Sequence, residues 1–389
     1  MKILYVHTLY EQSGGEDQVF ENESALLSSG NDVKQLLFNN AGNKLSVLFK
    51  FLLAPYNPFS ISRFKRVLRE ETPDIIHLHN WHFSASPALI TAAKKANIPV
   101  VVTIHNYRLL CPSATLFHEG QLFEESLKFG FPWTAVARKV YRNSSLQTFW
   151  LACTVALHKK LKTWQQVDLF ITLTPFARQL HLASGLKLRE DQLKVKPNFV
   201  EDHGFSTETR EKYFLFVGRL CVEKGIHHLI EAFEHTDHRL VIAGDGPLRE
   251  IVEQAAEKNP NLRYLGKKSR VEVMSLMKRA SALIFPSIWY EGMPMTILES
   301  FSTGTPVIAC RMGAMESLIQ EQENGLLYTP ADPEALKKSL QAWVNLGAAC
   351  KSAVASNARN SYEHHYTPEA NLSQILSIYN SLIEVKQTS

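Results

Sequence analysis

The stretch "ALIFPSIWYEGMPMTILESFSTGTPVIACR", residues 282–311, opens and closes on short apolar runs and carries a helical pattern between them. Apolar runs this short read as strands buried on both faces, and strands joined by helices lie parallel. The same alternation recurs on either side. "YFLFVGRL", "RLVIAGDG" and "LRYLG" precede it from residue 213, each followed by a helical stretch. Earlier, "KILYVHT", "DIIHLHN", "PVVVTIH" and "LFITLT" alternate with helical patterns such as "EDQVFENESALLSSG" and "PFARQLHLASG". The expected architecture is therefore α/β: two Rossmann-like, doubly wound parallel-sheet domains in tandem, with ligands in the cleft between them. Polar and Pro/Gly signals in "KPNFVEDHG" set the boundary, giving domains at 1–200 and 201–366. An amphipathic terminal helix at 367–389 is expected to cross back to the first.

Length and composition agree with two domains. A chain of 389 residues exceeds what one compact core usually fills, and 45% hydrophobic with 21% charged residues is ordinary for a globular protein. Five cysteines scattered singly, with no C-x-x-C pair, exclude a disulfide framework or a structural zinc site from the expectation. The opening "MKILYVHTLY" leads straight into a Gly-rich loop without a signal peptide's cleavage site, which points to the cytoplasm. The longest apolar runs fall short of the roughly 20 residues that a spanning helix needs.

Charge is uneven. Residues 1–200 carry a surplus of eight basic side chains, whereas 201–389 carry an acidic excess of four. Within the first half, 39–69 and 126–165 hold six and seven basic residues, no acid, and interleaved aromatics. Two readings stand: a solvated helix face, or contact with an anionic membrane surface or lipid-linked partner. No nucleic-acid motif accompanies the charge, so nucleic acid is not an expected partner.

The chemistry gathers in the opening stretch. Glu291 precedes the helix expected to begin at or near Pro294, and Glu299 lies in its second turn. Eight helical residues would span about 12 Å, too far for acid and base to share one bond. They instead bracket a ligand on the helix start, where Gly292 allows close approach and backbone N–H groups attract an anion. A molecule with an anionic centre and hydroxyls at each end fits, namely a nucleoside diphosphate sugar. Arg219 and Lys224 in "GRLCVEKG" leave a strand end, where two cations could neutralise a diphosphate. In "AGDGP", Gly244 and Gly246 permit close backbone approach. The "SGGEDQ" loop, 13–18, opens a helix after the first strand. His79 and His105 end neighbouring strands, where a core role competes with substrate contact. A metal reading of "HLHNWH" is weak, because no carboxylate or cysteine joins these histidines at ligand spacing. No D-x-D occurs to chelate a divalent ion on a diphosphate.

Taken in order, "GRLCVEKG", "AGDGP", "FPSIWYEGMPMTILESFSTGTPVIA" and "GAMESLI…ENGLLY" resemble the second domain of the retaining glycosyltransferases of family GT4, which have the GT-B fold. The first domain resembles it less densely, through "SGGEDQ", "PDIIHLHN", "HNYRLLCP" and "VDLFITLTPFAR". The resemblance implies that Arg219 and Lys224 hold the donor diphosphate, that Glu299 takes the ribose hydroxyls and that Glu291 holds hydroxyls of the transferred sugar. It implies that Gly292, Met293, Pro294, Met295 and Thr296 face sugar and phosphates. By the same resemblance Gly218 and Gly244 are expected to line the donor, Lys267 and Lys268 to flank the base, and Gly14 and Gly15 to close over the phosphates. His105 falls near the sugar C6 hydroxyl and is grouped with Glu291, Arg219 and Lys224 as catalytic. His79, Asn106, Tyr107 and Arg108 fall on the acceptor side. "GAMES" departs from the family's commoner Gly-Gly-x-Pro-Glu, which weakens a role for Glu316.

The resulting expectation is a metal-independent hexosyl transfer with retained configuration, needing no cofactor. The donor is a UDP-sugar, UDP-glucose first, in preference to GDP-mannose or ADP-glucose; the acceptor is a saccharide or lipid-linked saccharide. Two alternatives share the architecture: a UDP-sugar epimerase, and a nucleotide-sugar binder without turnover.

Overall fold

Runs of β-branched and aromatic side chains form the sheets because both faces are covered. Ile75–Leu78, Val100–Ile104 and Leu169–Thr172 are buried at every position, as two-sided parallel strands require. The computed structural model describes residues 1–9, 14–128, 130–206 and 209–388, with side chains up to 386. The chain divides into two compact units, one of residues 1–116, 123–198 and 371–389, the other of 117–122 and 199–370.

The first unit holds strands β1 (Lys2–Leu9), β2 (Asp32–Asn39), β3 (Ile75–Leu78) and β4 (Val100–Ile104). A short antiparallel hairpin of β5 (Phe117–His118) and β6 (Gln121–Leu122) follows, and then β7 (Leu169–Thr172) and β8 (Leu193–Val195) return to the sheet. The sheet order is β2-β1-β3-β4-β7-β8, all parallel. The hairpin, which the sequence reading leaves in the first domain, groups with the second unit. A Cβ on its tip residue Gly120 would lie 3.9 Å from Val222. Ile375, Ile378 and Tyr379 of the terminal helix Pro368–Thr388 pack into the first unit's core with Ile3, Tyr5 and Phe20.

The second unit repeats the plan with β9 (Tyr213–Val217), β10 (Arg239–Ala243), β11 (Leu262–Tyr264), β12 (Ala282–Phe285), β13 (Val307–Cys310) and β14 (Gly325–Tyr328), in the parallel order β11-β10-β9-β12-β13-β14. In each sheet the order reverses beside the first strand: at β1/β3 and at β9/β12. Successive connections there leave in opposite directions, and open α/β sheets bind their ligands at such points, outside the strands' carboxyl ends. All five cysteines are free. Among the described residues no helix is long and apolar enough to cross a membrane.

One half-buried cation fastens the base of the second sheet. The Arg210 guanidinium donates to the carbonyls of Met277, Lys278, Ala280, Thr303 and Gly304 and to Thr305 Oγ1 at 2.7–3.3 Å. These acceptors belong to the turns entering β12 and β13. Burial pushes the guanidinium down to about 10, so it remains charged at neutral pH. Arg210→Ala leaves the carbonyls short of donors and is expected to destabilise the second unit by about 3 kcal/mol. Urea denaturation checks this, and an unchanged midpoint would remove Arg210 from that role.

Candidate functional site

In the second unit the site grows from the loops after β9 and β12. Gly225 closes the 3-10 turn Val222–Lys224 at φ +71°, and a Cβ there would sit 2.0 Å from the Pro286 carbonyl oxygen. Only glycine lets the two loops touch. Ile288 N then donates to Glu223 O at 3.0 Å, locking the loops in register. Lys224 consequently meets Glu291, Nζ to Oε1 at 2.6 Å, and Ser287 Oγ donates to the same oxygen at 2.5 Å. The ammonium also lies 5.3 Å from the Phe285 ring centre and 5.7 Å from that of Trp289, near enough for cation–π attraction. Glu291 is buried, and the Trp289 Nε1 donor is shut from solvent without an acceptor among the described residues.

Arg219 is exposed and pairs with Glu223 at 2.5 Å. Met295–Ser302 forms the helix, with Pro294 as its N-cap, one position before the expected first helical residue. Glu299 lies in the second turn, where burial raises its carboxyl pKa against the pull of Arg270, 3.9 Å away. Lys268 pairs with Glu272 at 3.1 Å, whereas Lys267 is exposed. Gly292, Met293, Met295 and Thr296 are half-buried around the helix start, and Glu316 is exposed on the short helix after β13. Gly244 and Gly246 have a structural reason for being glycine that differs from ligand approach. A Cβ at either would strike the backbone oxygen of Gly218 (1.9 Å) or Leu220 (2.5 Å). Gly218 N and Leu220 N donate back to Ala243 O and Asp245 O, so the loops after β9 and β10 are joined. Sequence reasoning missed Glu223, Ser287, Trp289 and Arg270. Glu223 was legible as the acid between the two cations, whereas Ser287, Trp289 and Arg270 carried no pattern.

In the first unit, α1 (Gly15–Ser28) begins after Gly14, whose N–H donates to Asp17 Oδ2 at 2.9 Å. Asp17 Oδ1 also holds His7 Nε2 at 2.7 Å. Neither Gly14 nor Gly15 is glycine for packing, since a Cβ on either would meet nothing within 4 Å. Ser13 of "SGGEDQ" lies outside the described residues. Asn106 Nδ2 donates to Glu16 Oε1 at 2.7 Å, bringing the loop after β4 to the start of α1. Arg108 is half-buried, 6.0 Å from the Tyr141 ring centre, and its buried Nη1 has no acceptor among the described residues. Tyr107 departs from the acceptor-side expectation. At 2% exposure it is a core residue, with its ring stacked beside His181, and side-chain contact with an acceptor would require this packing to open.

His105 leads inward. Its Nε2 bonds His79 Nδ1 at 3.0 Å, and His79 Nε2 lies 3.5 Å from Glu23 Oε2. Glu23 pairs with the buried Lys196 ammonium and accepts from Tyr5 OH at 3.0 Å. Burial alone would raise the Glu23 carboxyl, but Lys196, His77 and Tyr5 hold it below the ordinary value. His77 joins Tyr379 OH (2.6 Å) and Thr103 Oγ1 (2.7 Å), and burial carries its pKa down to about 3. His79 and His105 are lowered for the same reason. The sequence reading found no carboxylate near these histidines, but α1 supplies one. Glu23, His77 and His79 offer ligand atoms within 4.8 Å of one another. Lys196 occupies that carboxylate, and both His77 nitrogens already face hydroxyls, so the trio is a charge-balanced polar core. His82 stands apart, its ring 3.9 Å from that of Phe83.

These two parallel-sheet units, each with polar side chains gathered at its switch point, define a GT-B architecture. The family 4 glycosyltransferase model matches residues 24–203, and the glycosyl transferases group 1 model matches 200–361. Together the two models span 24–361, so the chain is built from the two glycosyltransferase domains that they describe. An uncharacterized glycosyltransferase of Methanocaldococcus jannaschii is 24% identical over 82% of the chain and 78% of its own length. The O-antigen chain mannosyltransferase C of Escherichia coli is 27% identical over 57% of the chain and 62% of its own length. The Anabaena protein HepE, crystallised with UDP, shares the fold at a TM-score of 0.70 and 16% identity, over 98% of this chain and all of its own.

The lowered histidines make the first unit acid-sensitive. Below about pH 6.5 the unfolded chain binds protons that the folded imidazoles refuse, so stability falls with pH, for His77 down to about 3 and for His181 to about 4. From pH 6.5 to 5 these two are expected to cost the first unit about 3 kcal/mol together. Equal stability at pH 7 and pH 5 in urea titrations would contradict the burial assigned to them.

Proposed function

We propose that the chain transfers a hexose from a nucleoside diphosphate sugar to a saccharide or lipid-linked saccharide, with retained anomeric configuration and no metal. A UDP-sugar is the first choice of donor, UDP-glucose foremost, in keeping with the UDP-bound HepE fold. GDP-mannose and ADP-glucose follow as alternatives. The observation that carries the reading is the Lys224–Glu291 ion pair at the β9/β12 switch point, beside an indole donor without a partner among the described residues and the start of the Met295–Ser302 helix. A diphosphate there draws on the Lys224 ammonium and on Arg219, and a sugar hydroxyl takes the place of Ser287 or Lys224 on Glu291. Negative charge grows on the leaving diphosphate as the glycosidic bond breaks. Cations and a helix start aimed at that charge stabilise the transition state more than the ground state. With Glu291 bound to hydroxyls, no carboxylate acts as nucleophile. The acceptor oxygen attacks from the leaving-group face, and the departing diphosphate takes its proton.

In the first unit we assign Gly14 and Gly15 to the donor phosphates, His105 to the transferred sugar, and Asn106 and Arg108 to the acceptor. His79 positions His105 through the 3.0 Å bond. We place the enzyme in the cytoplasm, at the inner face of the membrane. The burial-raised Glu299 carboxyl gives the epimerase reading its footing, with that group as acid or base. Product analysis without acceptor separates the two, because an epimerase converts the sugar and a transferase releases it slowly by hydrolysis.

Calorimetry against UDP-, GDP- and ADP-sugars identifies the donor, and failure of all three to bind rejects the proposal. Glu291→Gln is expected to lower turnover about 10²–10³-fold, read as kcat with the bound donor, and wild-type-like turnover would remove its assigned role. Treatment with EDTA is expected to leave turnover unchanged, since Arg219 and Lys224 neutralise the diphosphate. A loss restored by a divalent ion would overturn metal independence.

A further inference from the structure

We infer that α2 (Lys44–Leu52) is an interfacial helix that seats the first unit on a bilayer containing anionic lipid. Leu45, Leu48, Phe49 and Leu52 recur at i, i+3, i+4 and i+7, a single helical stripe. That stripe points to solvent, with exposures of 77, 53, 53 and 51%. Phe59, at the start of α3 (Pro58–Glu71), extends it: it is 67% exposed, and its ring centre lies 6.2 Å from that of Phe49. Tyr56, also exposed, adds an aromatic of the kind that favours the headgroup region.

The helix is held in this orientation from behind. Phe51 is buried with Ala54, Phe83 and Leu151, and its carbonyl accepts from Trp150 Nε1 at 2.9 Å. Lys50 Nζ reaches back to Ala41 O at 2.7 Å. Asn43 caps the helix by accepting from Ser46 N at 2.9 Å. An amphipathic helix on a globular protein normally turns its apolar stripe inward, so an outward stripe on a fixed helix calls for an apolar occupant.

Charge selects the occupant. Lys44 on α2 and Arg63 and Arg66 on α3, four and seven residues after Phe59 and so on its side of the helix, are exposed, and residues 39–69 contain no acid. Anionic headgroups complement that set while acyl chains receive the leucines. A second copy meeting this face on itself would press like charges together.

The test is co-sedimentation with phosphatidylcholine vesicles, with and without phosphatidylglycerol. Binding is expected only to the phosphatidylglycerol vesicles and weakens as salt rises. Replacing Leu45, Leu48 and Leu52 by Ser is expected to weaken it at least about tenfold, and Lys44→Gln with Arg63→Gln and Arg66→Gln by a similar factor or more. All six positions are exposed, so far-UV melting should not change. UDP calorimetry on the same variants should match the parent, which separates failure of this inference from failure of the donor reading. Three outcomes would overturn it: no phosphatidylglycerol-dependent binding, wild-type binding by the triple Ser variant, or a dimer in light scattering that this variant dissolves.

Discussion

The candidate site of the second unit depends on one close approach. The loop after β9 passes so near the loop after β12 that a side chain at Gly225 would collide with the Pro286 carbonyl. That contact sets where Lys224 stands, and Lys224 stands against Glu291. Without it the two charges would ride on separate exposed loops, where an ion pair contributes little and holds no geometry. With it, the ammonium is enclosed by a buried carboxylate, a serine hydroxyl on that carboxylate and two aromatic rings. The glycines of "AGDGP" serve the same end one strand further along, pinning the loops after β9 and β10 together by backbone contact. Rigid loops at strand ends are what a site for a charged, hydroxyl-rich ligand needs, because reorganisation there weakens binding of the transition state.

The first unit solves a different problem. Its switch point carries His7, His79, Glu23 and Lys196, all sealed from solvent, with His105 at their outer edge. A buried ion pair is costly unless its remaining donors and acceptors are matched. Here Tyr5 and His79 attend the carboxylate, while Tyr379 from the terminal helix holds His77. The helix that ends the chain is thus tied into the sheet that begins it, by hydrogen bonding as well as by the packing of Ile375 and Ile378. The network leaves His105 at the rim with its ring fixed by His79. A single histidine at a strand end becomes an oriented group.

Strand positions and their alternation with helices were readable because continuous apolar runs have no other stable home than a two-sided parallel sheet. The cations of "GRLCVEKG" and the acids around Gly292 were readable as a set, since they follow strand ends. Trp289, Ser287 and Arg270 were not, because each reaches the site through a fold contact that leaves no periodicity in the chain. Tyr107 shows the converse: the resemblance of "HNYRLLCP" put it on the acceptor side with Asn106 and Arg108, and the turn after β4 buries its side chain beside His181. Pro294 stands one residue earlier than its type suggests, as the N-cap. The ordinary blurring of helix ends covers that shift.

What the sequence determined alone is the class of fold, the family, and the residue types that could manage a diphosphate and sugar hydroxyls, because these follow from local pattern and from chemistry carried by single side chains. Only the tertiary structure decided which charges pair, which histidines lose their protons and which face of α2 looks outward. Those properties depend on distance and on exclusion of water, and the residues that settle them, such as Glu23 with Lys196 or Lys224 with Glu291, lie far apart along the chain.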